Sequence, residues 1–269
     1  MKLNNLCGID VGCTNIKMMA IIDGTRFVKT IPSSDNFTRY SLIEAIYDFY
    51  LSFNNVFSGL GIAFSGGTAD FKKVDFTTLQ CLENLSSADF SDLNANVKLI
   101  NDSNATTLAG TLEYPNSKVL VGITNGTGIG CGIAIDGKLF TGSNGYLGEI
   151  YGNPTINTNS KITKIGKLCS GSKILGKINQ ASSEEERTKI INDASLYLGL
   201  LMADIIHLYN PDVIYLSGGA FSFKNFLDNS IDICKHNVYS RFLTNLRFAP
   251  TSFDEYSGCI GAMKLVAPK

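Results

Sequence analysis

The run from Leu120 to Glu149, LVGITNGTGIGCGIAIDGKLFTGSNGYLGE, constrains this chain more than any other. A β-prone segment from Val119 to Thr124 enters a turn carrying Gly126, Gly128, Gly130 and Gly132, then passes into a second apolar segment, Ile133 to Ile135. The pattern predicts strand, phosphate-sized turn, strand. Glycine suits a turn that closes around an oxyanion, because bare N–H groups must come close to the ligand. An ordinary hairpin turn rarely needs so many glycines. No Gly-Lys-Ser/Thr follows, which excludes a P-loop, and the turn leads into β-branched residues rather than a helix, which argues against a dinucleotide fingerprint.

A second strand-turn-strand unit lies near the start. Leu6 to Val11 is an apolar strand that meets a polar turn with Asp10, Gly12, Thr14 and Asn15; Ile16 to Ile22 and Arg26 to Ile31 follow, joined by an Asp-Gly turn. Asp10 is either an Asx-turn residue or a carboxylate holding a hydrated Mg²⁺ beside a polyphosphate, with Thr14 and nearby N–H groups on the phosphate oxygens. Further on, Ser41 with Glu44 reads as the capping box of a helix reaching Phe53. Leu60 to Phe64 is a buried strand ending in Ser65 and Gly66, and residues 68–95 form a loop with short helices that covers a pocket. Val97 to Ile100 is a strand that turns through Asn101, Asp102, Ser103 and Asn104 into an Ala-rich helix, Ala105 to Leu112. At that joint Asp102 or Ser103 serves as helix cap, or Asp102 is a carboxylate at the carboxyl end of a strand, where α/β proteins place their chemistry.

The second half continues with a helix from Lys164 to Asn179 and a long helix that starts after Ser183 and runs to Leu208. Its stripe of Ile190, Ala194, Leu198, Leu201, Ile205 and Leu208 reads as core. Val213 to Leu216 then delivers Gly218 and Gly219 to another helix start, a joint suited to a nucleoside; a strand near Leu246 to Ala249 and a helix from Ser257 to Val266 complete the chain.

Composition narrows the partners. A formal charge of −1 over 269 residues gives no field for collecting nucleic acid or anionic membrane, so a small molecule is the expected ligand. Seven scattered cysteines offer neither a disulfide framework nor a zinc module and point to a reduced, cytoplasmic protein. No apolar run is expected to reach the length of a membrane span. His207 and His236, the two histidines, are expected to serve packing or solvation.

Two such turns, one per half, followed by a Gly-Gly joint, resemble the actin-like ATPase and sugar kinase superfamily, and more narrowly the ROK family of bacterial sugar kinases and repressors. The matching pieces are GIDVGCT from Gly8, GIAFSG from Gly61, NDSNA from Asn101, GTGIG from Gly126, Gly148 with Glu149, and NPDVIYLSGG from Asn210. The resemblance implies an α/β fold of two actin-like (ribonuclease H-like) domains, mixed sheets flanked by helices, with an ATP cleft between them. The domains are expected at residues 1–114 and 115–269, the final helix packing back on the first, and the chain is expected to form a homodimer.

The same resemblance implies an ATP-dependent kinase of a hexose or hexose derivative. It makes Asp102 the general base, Asn101, Glu149 and Gly66 the acceptor contacts, and Asp10, Gly12, Thr14, Asn15, Gly126, Thr127, Gly128, Gly218 and Gly219 the binders of Mg²⁺ and ATP. Mg²⁺ is expected on Asp10 through water. The chain departs from the family pattern after Glu149. The family's zinc-binding histidine falls at Gly152, its last sugar-contacting glutamate at Gly166, and its cysteine cluster is represented only by Cys169, so no zinc is expected; the second glycine of the first turn is Cys13. A shifted acceptor, including an N-acetyl sugar or a non-sugar alcohol such as pantothenate, follows from these losses. The alternative is a non-catalytic sugar sensor with weak ATPase activity; a first strand at Leu6 is expected to leave no room for a DNA-binding helix-turn-helix.

Overall fold

The computed structural model describes residues 3–33, 37–54, 56–157 and 159–268. Two five-stranded mixed sheets are built on one plan. In the first, β1 (Leu6–Val11), β2 (Asn15–Ile22) and β3 (Thr25–Pro32) form an antiparallel meander, and β4 (Gly59–Phe64) and β5 (Asn96–Asn101) add to β1 in parallel, giving the order β3-β2-β1-β4-β5. In the second, β6 (Val119–Asn125), β7 (Ile129–Ile135) and β8 (Lys138–Leu139) form the meander. There β9 (Val213–Ser217) and β10 (Arg247–Pro250) supply the parallel half, in the order β8-β7-β6-β9-β10. The central strands are buried on both faces, which is why β4 and β9 read as unbroken apolar runs.

Helix α1 (Arg39–Leu51) covers one face of the first sheet through Leu42, Ile46, Phe49 and Tyr50. Its cap is Thr38, whose hydroxyl accepts from the Ser41 amide at 3.1 Å, rather than Ser41 itself: the chain enters the helix three residues earlier than the capping-box pattern suggested. Helix α2 (Asp102–Glu113) lies between the sheets. Gly122, Gly130 and Gly132 leave room for its Ser103 and Thr107, and Gly110 leaves room for the Tyr215 ring of β9. On its other side α6 (Ser257–Val266) presses Gly261 against the Ala105 carbonyl, so closely that a methyl group there would lie 1.6 Å from the oxygen. Gly8 and Gly61 admit the same helix against β1 and β4. The last helix of the chain is thus packed into the first sheet.

The segment expected as one helix from Lys164 to Asn179 is two, Gly166–Cys169 and α3 (Gly171–Ile178), broken at Ser170, which takes an extended conformation with ψ of 151°. Helix α4 (Glu184–Tyr209) shares one apolar core with the second sheet; its Leu198, Met202 and Ile206 are fully buried, each contributing roughly 1.5–3 kcal/mol of transfer free energy. Leu208, placed in the core stripe by its spacing, is 74% exposed in the last turn of the helix. This 26-residue helix is also long and apolar enough to cross a membrane, contrary to expectation. Most of its apolar window, 61%, is buried within the fold, where the helix supports a sheet. His207 packs edge-on against Tyr239 and Phe242, and the Nδ1 of His236 lies 2.7 Å from the Asp232 carbonyl oxygen of α5 (Phe226–His236).

Candidate functional site

A cleft of about 890 Å³ opens where the carboxyl ends of the parallel strands of both sheets converge. Eleven of the thirteen residues singled out from sequence line it: Asp10, Gly12, Gly66, Asn101, Asp102, Gly126, Thr127, Gly128, Glu149, Gly218 and Gly219. Thr14 and Asn15 are not brought to it. Both are exposed at the β1–β2 turn, where their carbonyls accept from the amides of Ser33 and Gly12, at 2.9 and 3.0 Å.

On the floor, Asp10 stands near the end of β1, and the start of α6 closes over it. Burial pushes its carboxyl up to about 7, the nearby Asp102 adds to the shift, and Lys17 opposes it. Lys17 is itself held by Glu255, with a 3.2 Å ion pair and a 3.1 Å bond to the backbone carbonyl. An aspartate kept from ionising in this way is a site that a cation would stabilise.

The Gly-rich turn divides into two functions. Gly126 and Gly128 form the turn itself, Gly126 donating to the Gly128 carbonyl at 2.9 Å, and neither has a positive φ. A methyl group on Gly126 would meet nothing within 4 Å, so its bareness serves the open cleft rather than the fold. Gly130 and Gly132, grouped with the turn by sequence, lie inside β7 and serve packing; methyl groups there would lie 2.0 Å from the Ser103 hydroxyl and 2.3 Å from that of Thr107. Helix α3 begins against the turn, with Ser172 donating from its amide to the Gly126 carbonyl (3.2 Å) and from its hydroxyl to that of Thr127 (2.6 Å). Buried Asn125 ties this together, accepting from the Gly171 amide at 2.9 Å and donating to the Cys169 carbonyl at 3.0 Å.

Beside it Gly218 has a φ of 118°, and a methyl group there would lie 2.3 Å from the Asn125 carbonyl oxygen. Gly219 faces open space. The helix start expected here is one short turn, Gly219–Ser222; the full helix, α5, begins at Phe226. Bare amides, an open surface without Cβ atoms, and a buried carboxylate opposite suit a Mg²⁺–nucleotide.

At the other end, Asn101 caps α2. Its Oδ1 accepts from the amides of Ser103 (2.9 Å) and Asn104 (3.0 Å), the role expected of Asp102 or Ser103. Its Nδ2 donates to the Gly66 carbonyl at 2.9 Å and approaches Glu149 Oε1 at 3.5 Å. Asp102, released from capping by one residue, is held by one oxygen only: Oδ1 accepts from the Ser103 amide (2.7 Å) and hydroxyl (3.3 Å). Burial raises the carboxyls of both Asp102 and Glu149, the charge of Asp102 adding to the latter. Gly148, at a φ of 102°, sets Glu149 by lying flush on the Cys131 carbonyl.

Several lining residues carry no sequence signal. Lys17, Phe76, Tyr151, Ser172, Lys173 and Ser257 reach the cleft from distant parts of the chain. The break at Ser170 and Gly171 is the one local cue for Ser172 and Lys173, since a Ser-Gly pair commonly marks a helix start. Among the described residues no group of three or more His, Cys, Asp or Glu stands close enough to hold a metal by itself. Cys169 is buried beneath the turn.

The sequence profile of the ROK family matches residues 6–162 and 157–269. The chain is 25% identical to a xylose repressor of Bacillus subtilis, over 96% of this chain and 76% of the repressor. It is 27% identical to an N-acetylmannosamine kinase of Vibrio cholerae, over 70% of this chain and 68% of that kinase. Among solved structures, a ROK family protein of Streptococcus pneumoniae in complex with sucrose superposes with a TM-score of 0.80 at 20% identity, covering 97% of this chain and 96% of that one. A ROK family glucokinase of Streptomyces griseus in complex with glucose and AMPPNP gives 0.75 at 16% identity, covering 97% and 98%. The fold is therefore the two-domain actin-like one.

Proposed function

The chain belongs to the ROK family, and we propose that it is a kinase that transfers the γ-phosphoryl group of ATP to a hydroxyl of a hexose or hexose derivative. One observation carries the reading. Asp102, with one oxygen committed to Ser103 and the other without a partner among the described residues, shares a single cleft with the open Gly126–Gly128 turn and the Asp10 carboxylate.

Bound Mg²⁺–ATP supplies the phosphoryl group and the divalent charge that screens it. Thr127 and Gly128 offer amides to phosphate oxygens, Gly126 leaves their approach open, Gly218 and Gly219 give the nucleoside a close approach, and Asp10 would hold the cation through water. Asn101 and Glu149 bind acceptor hydroxyls, while the Gly66 carbonyl fixes the Asn101 amide. Asp102 aligns the hydroxyl that reacts and accepts its proton. Since that proton leaves late in a loose transition state, alignment counts as much as basicity. The raised carboxyl of Asp102 makes it a better base once ionised, and it delays ionisation to higher pH. Residues 1–114, with α6 packed on them, and the remainder of 115–269 act as the two closing halves, and their approach excludes water that would otherwise take the phosphoryl group.

Titration of the protein with ATP by calorimetry, followed by mass analysis of a hexose panel after incubation with Mg²⁺–ATP, tests the reading. Nucleotide binding with a phosphorylated panel member supports it; absence of nucleotide binding sinks it. A second reading, a sugar-binding regulator without turnover, draws on the likeness to a xylose repressor over 96% of the chain. It predicts sugar binding in the same cleft with no phosphorylated product.

A further inference from the structure

The ring of Tyr151 fills the room that any side chain at position 166 would need. A methyl group on Gly166 would lie 2.0 Å from its Cδ2 and 2.4 Å from its Cε2 and Cγ. The same Cδ2 also comes near the phosphate-sized turn, 3.8 Å from where a methyl group on Gly128 would stand. Tyr151 belongs to the single turn Ile150–Gly152 that follows Glu149, is partly buried, and lines the cleft. Its hydroxyl has no hydrogen-bond partner among the described residues. The ring is therefore a plate seated on bare backbone that lines the cleft two residues after Glu149.

We infer that Tyr151 determines acceptor specificity: its face packs against an apolar face or substituent of the acceptor, such as an acyl or deoxy position. The inference rests on the kinase reading of the same cleft and names its acceptor class. An aromatic face carries no lone-pair acceptor and no N–H or O–H donor, so a hydroxyl pressed on it loses water without full replacement, whereas C–H groups gain contact. The hydrogen-bonding groups of this end, Asn101, Asp102 and Glu149, lie before Tyr151 in the chain and carry two carboxylates, which disfavour an anionic acceptor. Gly166 is the condition for the arrangement, since nothing larger leaves the plate its seat.

The test compares the protein with Tyr151→Phe, Tyr151→Ala and Gly166→Ala, using glucose, mannose and their N-acetyl and 2-deoxy counterparts, read by calorimetric binding and by phosphorylation in parallel. The unaltered protein should prefer the substituted member of a pair, and Tyr151→Phe should keep that preference. Tyr151→Ala and Gly166→Ala should lose about tenfold in affinity for the preferred member, with ATP affinity changed less than about threefold. Should Tyr151→Ala fail to fold, Gly166→Ala and Tyr151→Leu carry the same comparison. An unchanged preference in a folded variant, an equal loss of ATP affinity, or no sugar binding by the unaltered protein would overturn the role of Tyr151. The predicted binding pattern without any phosphorylated product would overturn the kinase reading alone.

Discussion

Gly258 stands directly over the carboxylate of Asp10: a methyl group on it would lie 2.5 Å from Oδ2 and 2.6 Å from Cγ. The two residues are the length of the chain apart, yet the first turn of the last helix is what closes over the carboxylate of the first strand. Gly258→Ala should therefore move Asp10 and weaken Mg²⁺–ATP binding by about tenfold, while costing roughly 1–3 kcal/mol of stability from overpacking. Calorimetry and thermal melting read the two effects separately.

The Gly-rich turn predicts opposite outcomes for neighbouring glycines. Gly126→Ala should leave the melting temperature within a few degrees of the parent, because the added methyl group meets nothing, and should reduce nucleotide affinity. Gly130→Ala forces a methyl group onto the Ser103 hydroxyl and should destabilise the protein by about 1–3 kcal/mol. Denaturation midpoints of the two variants give the comparison.

Asn101 both caps α2 and orients the acceptor end. Asn101→Asp keeps a capping oxygen, so stability should change by less than about 1 kcal/mol. It removes the donor to Gly66 and sets a third carboxylate beside Asp102 and Glu149. Acceptor affinity should fall by about tenfold or more, which a sugar titration measures.

The Asp10 carboxyl, raised from 3.8 to about 7 by burial first and by Asp102 second, gives the ligand-free protein a pH signature. A carboxyl whose folded pKa lies above its unfolded value favours the folded state while protonated. That contribution is complete below about 4 and is lost as pH rises through about 7. Urea midpoints of the metal-free protein should thus carry a downward component from Asp10 across this window, and Asp10→Asn should remove it.

Much of this was legible in the chain and some was not, for identifiable reasons. Both hairpin turns, the joint at Asp102 and the Gly218 turn are local patterns, in which alternating apolar runs and glycines carry the signal. Gly130 and Gly132 misled because a glycine that admits Ser103 or Thr107 of a crossing helix looks, in one dimension, like a glycine that admits a ligand. Thr14 and Asn15 share a turn with Asp10 in sequence, yet they are exposed there and do not line the cleft, a distinction that spacing does not carry. Gly258, Lys17 and Tyr151 could not be found at all from spacing, because their partners, Asp10, Glu255 and Gly166, are set by how α6 and the Ile150–Gly152 turn dock.

Turnover by Asp102→Asn decides most directly whether Asp102 is the base. The substitution keeps size and can keep the contact with Ser103, but it removes the base. With an acceptor that the unaltered protein phosphorylates, kcat should fall by roughly 10²–10⁴-fold while the Kd for ATP stays within about threefold. Turnover within tenfold of the parent would contradict the assignment of Asp102 as the base that the whole arrangement of the cleft serves.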